Sequence, residues 1–358
     1  MFPRIFYWIA NLFPELVGKI IGTDFFQVKR REKDICYKKD NVTIYSFPIY
    51  KIIPHAKYSK KTIKKHVDKI LKTLISHNFA PDIITGHFYN PQIELVSQLK
   101  HKFPSARTVI VLHEEPEIIK IKYPHEYPNL FKNIDIWGFR FQGIKEKFEH
   151  LFGNELNTFM CYSGIPEEYI YSSISQKDFS SGMSNFFYTG MLIPLKRVND
   201  TIVALNQTFP KKDFKLTIVG EGMEMSNLKN LVSTLNLEAN INFTGRVSRN
   251  RVQETLKEAD CFIMVSESEA FGLVYLEAMS KGCITIGTEG QGIDGVIIHG
   301  VNGFLCESGN PSKLGELLMH IKSLPAEELA IISQNAIDTT INMTDRKVAE
   351  MYFNNITN

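Results

Sequence analysis

Long hydrophobic runs are absent from this 358-residue chain. None approaches the ~18 uninterrupted apolar residues that a bilayer-spanning helix needs. The first 21 residues are apolar, but Arg4, Glu15 and Lys19 interrupt them, as do Pro14 and Gly18. No small-residue cleavage site follows a clean apolar core, so no signal peptide is expected. Cysteine is scarce: Cys36, Cys161, Cys261, Cys283 and Cys306 are odd in number, and no pair is spaced C-x-x-C. This excludes a disulfide scaffold and argues against a zinc site; reduced, mostly buried thiols in a cytosolic protein are expected. A large net charge is also missing, at +2. With 44% hydrophobic and 22% charged residues the chain is neither a collagen nor a disordered tail. At ~150 residues per domain its length implies about two.

The small net charge hides an asymmetry. Residues 1–175 hold 25 Lys+Arg against 18 Asp+Glu, whereas residues 176–358 hold 16 against 21. Two domains with different partners would produce such a contrast. In the second half, short apolar runs at 186–189, 216–219, 241–244, 261–265 and 284–286 alternate with helical patterns at 198–208, 223–235, 251–259, 273–280 and 314–321. Continuously apolar strands alternating with helices predict a doubly wound parallel sheet. The first half repeats the rhythm less cleanly. Strands are expected at 5–10, 42–45, 82–85, 108–112, 134–137 and 158–161, with a loop at 11–23. A helix is expected over 59–77, where Ile63, Val67, Ile70, Leu71, Leu74 and Ile75 recur at helical spacing. The polar stretch 176–184 is the best linker. The expected fold is therefore α/β, with two Rossmann-like doubly wound domains facing across a cleft. Residues 1–178 form the first domain, 179–184 the linker and 185–343 the second. A closing helix at 344–358 is expected to pack back on the first. In such sheets ligands bind beyond the carboxyl ends of the strands.

The strongest chemical signal runs from Ser266 to Met279. A buried strand ends at Val265, a polar loop follows, and a helix begins near Phe271. The N–H groups of a first helical turn attract phosphate, and Gly272 allows a ligand close to the backbone. Glu277 lies amid Leu276, Ala278 and Met279, where a carboxylate needs a partner such as a ribose diol. Glu269 precedes the helix and could accept from sugar hydroxyls. Taken alone, Glu269 also reads as a solvated or capping residue and Glu277 as a surface glutamate. The sequence around them points the other way: the strand 284–286, the glycine-rich loop 287–295 and the turn 300–305 follow in order. Gly220-Glu221-Gly222 imitates a dinucleotide fingerprint, but Met225 stands in place of its third glycine.

Over residues 185–325 the chain resembles the donor domain of the retaining glycosyltransferases of family 4, which have the GT-B fold. Their hallmark is two glutamates separated by seven residues within a pattern like E-x-F-G-L-x-x-L-E-A-M, and Glu269 and Glu277 match it. The resemblance implies roles residue by residue. Glu277 would hold ribose hydroxyls of a nucleotide sugar, and Glu269 the hydroxyls of the transferred sugar. Gly272 and Leu273, next to Phe271, would offer N–H groups to the diphosphate. Val247 would meet the base through its backbone, with Gly220 at the nearby strand end. Relatives usually carry G-R-x-x-x-x-K-G after the first strand of this domain. Here Gly190 and Lys196 match, Met191 replaces the arginine, and Arg197 stands where glycine is usual. Methionine makes no bidentate phosphate contact, so either Arg197 restores the missing cation or activity is weak or absent; Lys196 and Arg197 also read as simply flanking a helix start.

In the first half the resemblance is mainly architectural. His113 follows the strand 108–112 and matches a histidine that often contacts the transferred sugar, with a structural role as the other reading. His87 and the acids Glu114, Glu115 and Glu117 read more simply as structural or solvated residues. Gly18 and Gly22 stand where a glycine-rich loop would be, and Ser163-Gly164-Ile165-Pro166 resembles the turn that ends the first domain. The family's mechanism is front-face substitution with retention. It needs no cofactor besides the nucleotide sugar and no metal, and no Asp-x-Asp pair is present. UDP is the nucleotide preferred on family frequency, with GDP and ADP open.

The stretch from Lys51 to Lys72 holds eight lysines and one acid, Asp68. Such a face is drawn to anionic lipid, and aromatics among residues 2–8 would add anchoring; a solvated helix face is the other reading. Nucleic acid fits poorly with the acidic second half. A lipid-linked glycan acceptor, in peripheral inner-membrane assembly of a bacterial surface polysaccharide, fits the basic first half and the resemblance. Two other functions stay open: a non-catalytic nucleotide-sugar-binding accessory subunit, suggested by Met191, and an epimerase of the same fold.

Overall fold

The computed structural model describes residues 34–49, 57–171 and 177–358. The strand and glycine loop expected within 5–23, the aromatics at 2–8 and the first part of the basic stretch, 51–56, lie outside the described residues. The chain forms two compact units, one drawn from residues up to 110 with 119–135, the other from 111–118 with 136–358.

The strand expected at 42–45 forms, but not in a parallel sheet. β1 (Ile35–Lys39) and β2 (Val42–Ser46) make a separate antiparallel hairpin. Helix α1 (Lys60–Ser76) is capped by the Ser59 hydroxyl, which accepts from the Thr62 N–H at 3.1 Å. Ile63 and Val67 are buried on it, while Lys60, Lys61, Lys64 and Lys65 are exposed. Ile75, counted in the apolar stripe, is 76% exposed, because the buried face ends before the last turn. A four-stranded sheet then follows in the order β3 (Ile83–His87), β4 (Arg107–Leu112), β5 (Ile136–Phe139) and β6 (Thr158–Met160). Its helices are α2 (Gln92–Lys102), the short α3 (Glu117–Lys122) and α4 (Tyr127–Phe131), and α5 (Gln142–Phe152).

After α6 (Glu167–Tyr171) comes a six-stranded, all-parallel sheet in the order β12-β11-β10-β7-β8-β9. Its strands are β7 (Asn185–Thr189), β8 (Lys215–Val219), β9 (Ile241–Gly245), β10 (Cys261–Ile263), β11 (Ile284–Thr288) and β12 (Phe304–Cys306). The helices between them are α7 (Val198–Thr208), α8 (Met225–Thr234), α9 (Arg249–Glu258) and α10 (Leu273–Met279), followed after β12 by α11 (Pro311–Ser323), α12 (Ala326–Ile341) and α13 (Asp345–Thr357). Strand order reverses between β7 and β10, which makes the carboxyl ends of those two strands the switch point where ligands bind in doubly wound sheets. The sequence reading missed β12, taken as a turn, and α12.

Residues 179–184, expected as a linker, place Phe179 and Met183 in the core of this second unit. Ile165 pairs with Thr344, and the Phe159 ring on β6 meets Tyr352 of α13 at 5.7 Å. A Cβ on Gly164 would lie 2.5 Å from the Asp345 nitrogen, so the 163–166 turn and the start of α13 need a glycine to cross. These contacts explain why residues 136–171 belong to the same compact unit as the C-terminal chain.

Four of the five thiols, Cys161, Cys261, Cys283 and Cys306, are buried and Cys36 is exposed. Burial pushes the Cys283 and Cys306 thiols up to about 11. Thiolate is the reactive form. A disulfide reagent added to the native protein should therefore titrate one thiol quickly and four only after denaturation. Rapid loss of two or more would contradict this packing.

Candidate functional site

Two loops leave the switch point. After β7 the chain passes through Gly190 into a single 3-10 turn, Pro194–Lys196, where Pro194 fixes the first residue. After β10 it runs through Met264, Val265 and Ser266, all buried, to Glu269. These loops bring the Lys196 ammonium into an ion pair with a Glu269 carboxylate oxygen, and each side chain is about one-sixth exposed, at 15% and 17%. Two residues 73 apart in sequence, both expected at the reacting end of the site, thus meet where the sheet topology places a ligand.

Buried phenols stand behind the pair. Burial, and then the Glu269 charge, pushes the Tyr188 and Tyr275 phenols well above the ordinary tyrosine range. The Tyr275 hydroxyl donates to the Met264 carbonyl at 2.7 Å and the Tyr188 hydroxyl to the Met191 carbonyl at 3.1 Å. Both tyrosines therefore bind the backbone of the loops that carry Glu269 and Lys196.

Gly272 caps α10 in the left-handed region (φ 75°), with no side chain capping the helix. A Cβ there would lie 2.5 Å from the Tyr275 ring and 3.2 Å from the Glu269 side chain. Leu273 is the first helical residue and 38% exposed, whereas Phe271 is buried, its ring 6.0 Å from Tyr162 and beneath the Arg140 guanidinium. Glu277 is buried on α10, and its partners are side chains. Arg249 Nη2 donates to Oε1 at 2.8 Å and Gln253 Nε2 to Oε2 at 2.9 Å, both from α9. Sequence reading had sought a ligand as that partner and did not single out Arg249 or Gln253. Their spacing of four on α9, opposite a buried glutamate, was the available signal.

Arg197, expected to replace the missing arginine, has its guanidinium 3.1 Å from Glu267. Its φ of 49° is left-handed, which accounts physically for glycine being usual at that position. Met191 is 56% exposed. Gly190 and Gly220 lie where the backbones leaving β7 and β8 cross, and a Cβ on Gly220 would meet the Gly190 carbonyl oxygen. Val247 is half-buried beyond β9, next to Arg246, whose Nε is 3.4 Å from Glu221. Each of these four cations, Lys196, Arg197, Arg246 and Arg249, therefore faces a carboxylate. His113 follows β4 and is half-buried. Among the described residues no cluster of three or more His, Cys, Asp or Glu could hold a metal ion. No helix there is long and apolar enough to cross a membrane.

Residues 173–339 match the family described as glycosyl transferases group 1. The N-acetyl-alpha-D-glucosaminyl L-malate synthase of Bacillus anthracis is 39% identical over 135 residues, 38% of this chain and 34% of that one. The match thus spans about a third of that relative's length. An uncharacterized glycosyltransferase of Methanocaldococcus jannaschii is 26% identical over 87% of each chain. Among solved structures, Anabaena HepE in complex with UDP and glucose superposes with a TM-score of 0.60 at 20% identity, over 82% of each chain. The fold is GT-B, α/β with two Rossmann-like domains.

Proposed function

We propose that this chain, whose residues 173–339 match the family described as glycosyl transferases group 1, moves a sugar with retention from a nucleotide-diphosphate sugar, UDP-sugar preferred, to a glycan or lipid-linked glycan. The observation that carries the reading is the Lys196–Glu269 pair at the β7/β10 switch point, with Glu277 one helix further along. Lys196 and the backbone at Gly272 and Leu273 stabilise charge developing on the leaving diphosphate. Glu269 receives the hydroxyls of the transferred sugar, and His113 contacts the same sugar. Glu277 receives the ribose hydroxyls. Arg249 and Gln253 occupy one direction on each of its oxygens, and a carboxylate offers about four lone-pair sites, so both hydroxyls can still be accepted. Val247 and Gly220 border the base. The HepE complex supports UDP as the nucleotide, and the exposed lysines of α1 support an anionic membrane surface as the place of the acceptor. The transfer is metal-independent in this reading.

Arg197's engagement with Glu267, beside an exposed Met191, favours a second reading, a subunit that binds a nucleotide sugar without transferring it. Thermal stabilisation by UDP, GDP and ADP in EDTA, followed by assay for transfer, separates the two. At 100 times its dissociation constant a ligand that binds only the native state adds ~2.7 kcal/mol. One nucleotide should stabilise the wild type and lose that effect in Glu277→Ala. Stabilisation without turnover of any donor would leave the second reading, and no stabilisation by any nucleotide would remove both.

A further inference from the structure

Beside Gln253, which holds Glu277, a cleft of about 320 Å³ is lined by Glu168, Tyr169, Asn250, Gln253, Glu254, Lys257 and Lys281. That volume is at the lower end of small-molecule pockets, which run roughly 300–1,000 Å³. Three elements build it: α6 supplies Tyr169, α9 supplies Gln253 and Lys257, and Lys281 follows α10.

Two groups in this wall are incompletely satisfied: Lys281, which has the Tyr169 carbonyl and ring but no counter-charge, and Gln253. Lys281 is 4% exposed, yet its ammonium donates to the Tyr169 carbonyl and to no carboxylate among the described residues. Burial, followed by the neighbouring charge of Lys257, lowers its proton affinity; Glu277 opposes this but is itself held by Arg249 and Gln253. A buried cation without a counter-ion is costly, and an anion relieves the cost. Gln253 is 8% exposed. Its Nε2 is spent on Glu277, and its Oε1 is buried with no donor. Of the two acids in the wall, Glu254 is paired with Arg251 at 3.1 Å.

A ligand that satisfies both groups carries an anion for Lys281 and Lys257 and a hydroxyl donor for Gln253. We infer that this cleft is a second ligand site, separate from the donor site, for a small phosphorylated polyol of about hexose-phosphate size. Unphosphorylated sugars lack the charge, and inorganic phosphate fills only part of the volume. The site is coupled to Glu277 through the Gln253 side chain, which lines the cleft and holds the carboxylate. Occupancy therefore alters nucleotide affinity, and nucleotide alters occupancy by the same factor.

Isothermal titration of the full chain with glucose 6-phosphate, inorganic phosphate and glucose, each with and without saturating UDP, tests the inference. Glucose 6-phosphate should bind more tightly than either simpler probe, and should still bind when UDP is present. Lys281→Met, which keeps the aliphatic bulk, and Lys257→Ala, at an exposed position, should each weaken it by about tenfold. If Lys281→Met does not fold, Lys257→Ala still decides. Binding abolished by UDP would place the probe in the donor site and overturn the inference. So would equal affinity in Lys257→Ala and wild type, or no binding of glucose 6-phosphate. If UDP itself fails to bind, the UDP preference of the proposed function falls while the phosphate arm still reports on this cleft.

Discussion

Lys196→Ala is expected to lower kcat for sugar transfer by about 10²–10³-fold, the range seen when one preorganised donor to developing charge is removed. The lysine is held on a single turn between Ile193 and Arg197, and its ammonium already faces Glu269 at the switch point. Without it, Glu269 loses its ion-pair partner in a site where its side chain is 17% exposed, and an unpaired buried charge costs stability. Adding Glu269→Gln to Lys196→Ala should restore stability without restoring turnover, because the unpaired charge is gone but the cation is still missing. This double variant separates catalysis from folding. A kcat for Lys196→Ala within threefold of wild type, with donor saturating, would remove Lys196 from the reaction.

The parts of this molecule legible in sequence are those whose chemistry is local. The strand centred on Phe187, the strand at 261–263 and the glutamate pair on either side of Gly272 each announce themselves within a dozen residues. Partners contributed by another element do not. Arg249 and Gln253 sit four residues apart in an unremarkable solvated helix pattern, and only the fold turns them toward Glu277. Arg197 fits the need for a cation, but the fold gives it Glu267. The 42–45 run alternates in the manner of any half-buried strand, and its pairing with 35–39 in an antiparallel hairpin depends on a turn at Asp40, a left-handed residue (φ 52°) that aspartate tolerates. Helix α12 lacked a strong start signal: Pro325 precedes it and no side chain caps it. Ile75 shows the converse error, since periodicity continued to the end of α1 after the surface it packed against had stopped.

Gly220→Ala should destabilise the second unit by more than about 3 kcal/mol, the class of effect reserved for backbone strain and overpacking. Two independent requirements coincide there. Its φ of 137° is available to glycine and rarely to other residues. A Cβ would also lie 1.9 Å from the Gly190 carbonyl oxygen and 3.0 Å from the Gly190 carbonyl carbon, both backbone atoms that cannot rotate away. The crossing is fixed on each side, since Gly190 N–H donates to Val219 at 3.0 Å and Gly220 N–H to Gly245 at 2.9 Å. Pushing these strands apart would move the loop that carries Lys196, so activity should fall with stability. Gly182→Ala is the matched control. It shares a left-handed φ, 75°, but has open space where its Cβ would go, so it should cost only the conformational penalty of about 1–2 kcal/mol. Thermal or urea unfolding of the two variants measures the difference directly. If Gly220→Ala proves no less stable than Gly182→Ala, the backbone crossing relaxes cheaply, and the Gly-Glu-Gly sequence at 220–222 requires another explanation than the close approach of β7 and β8.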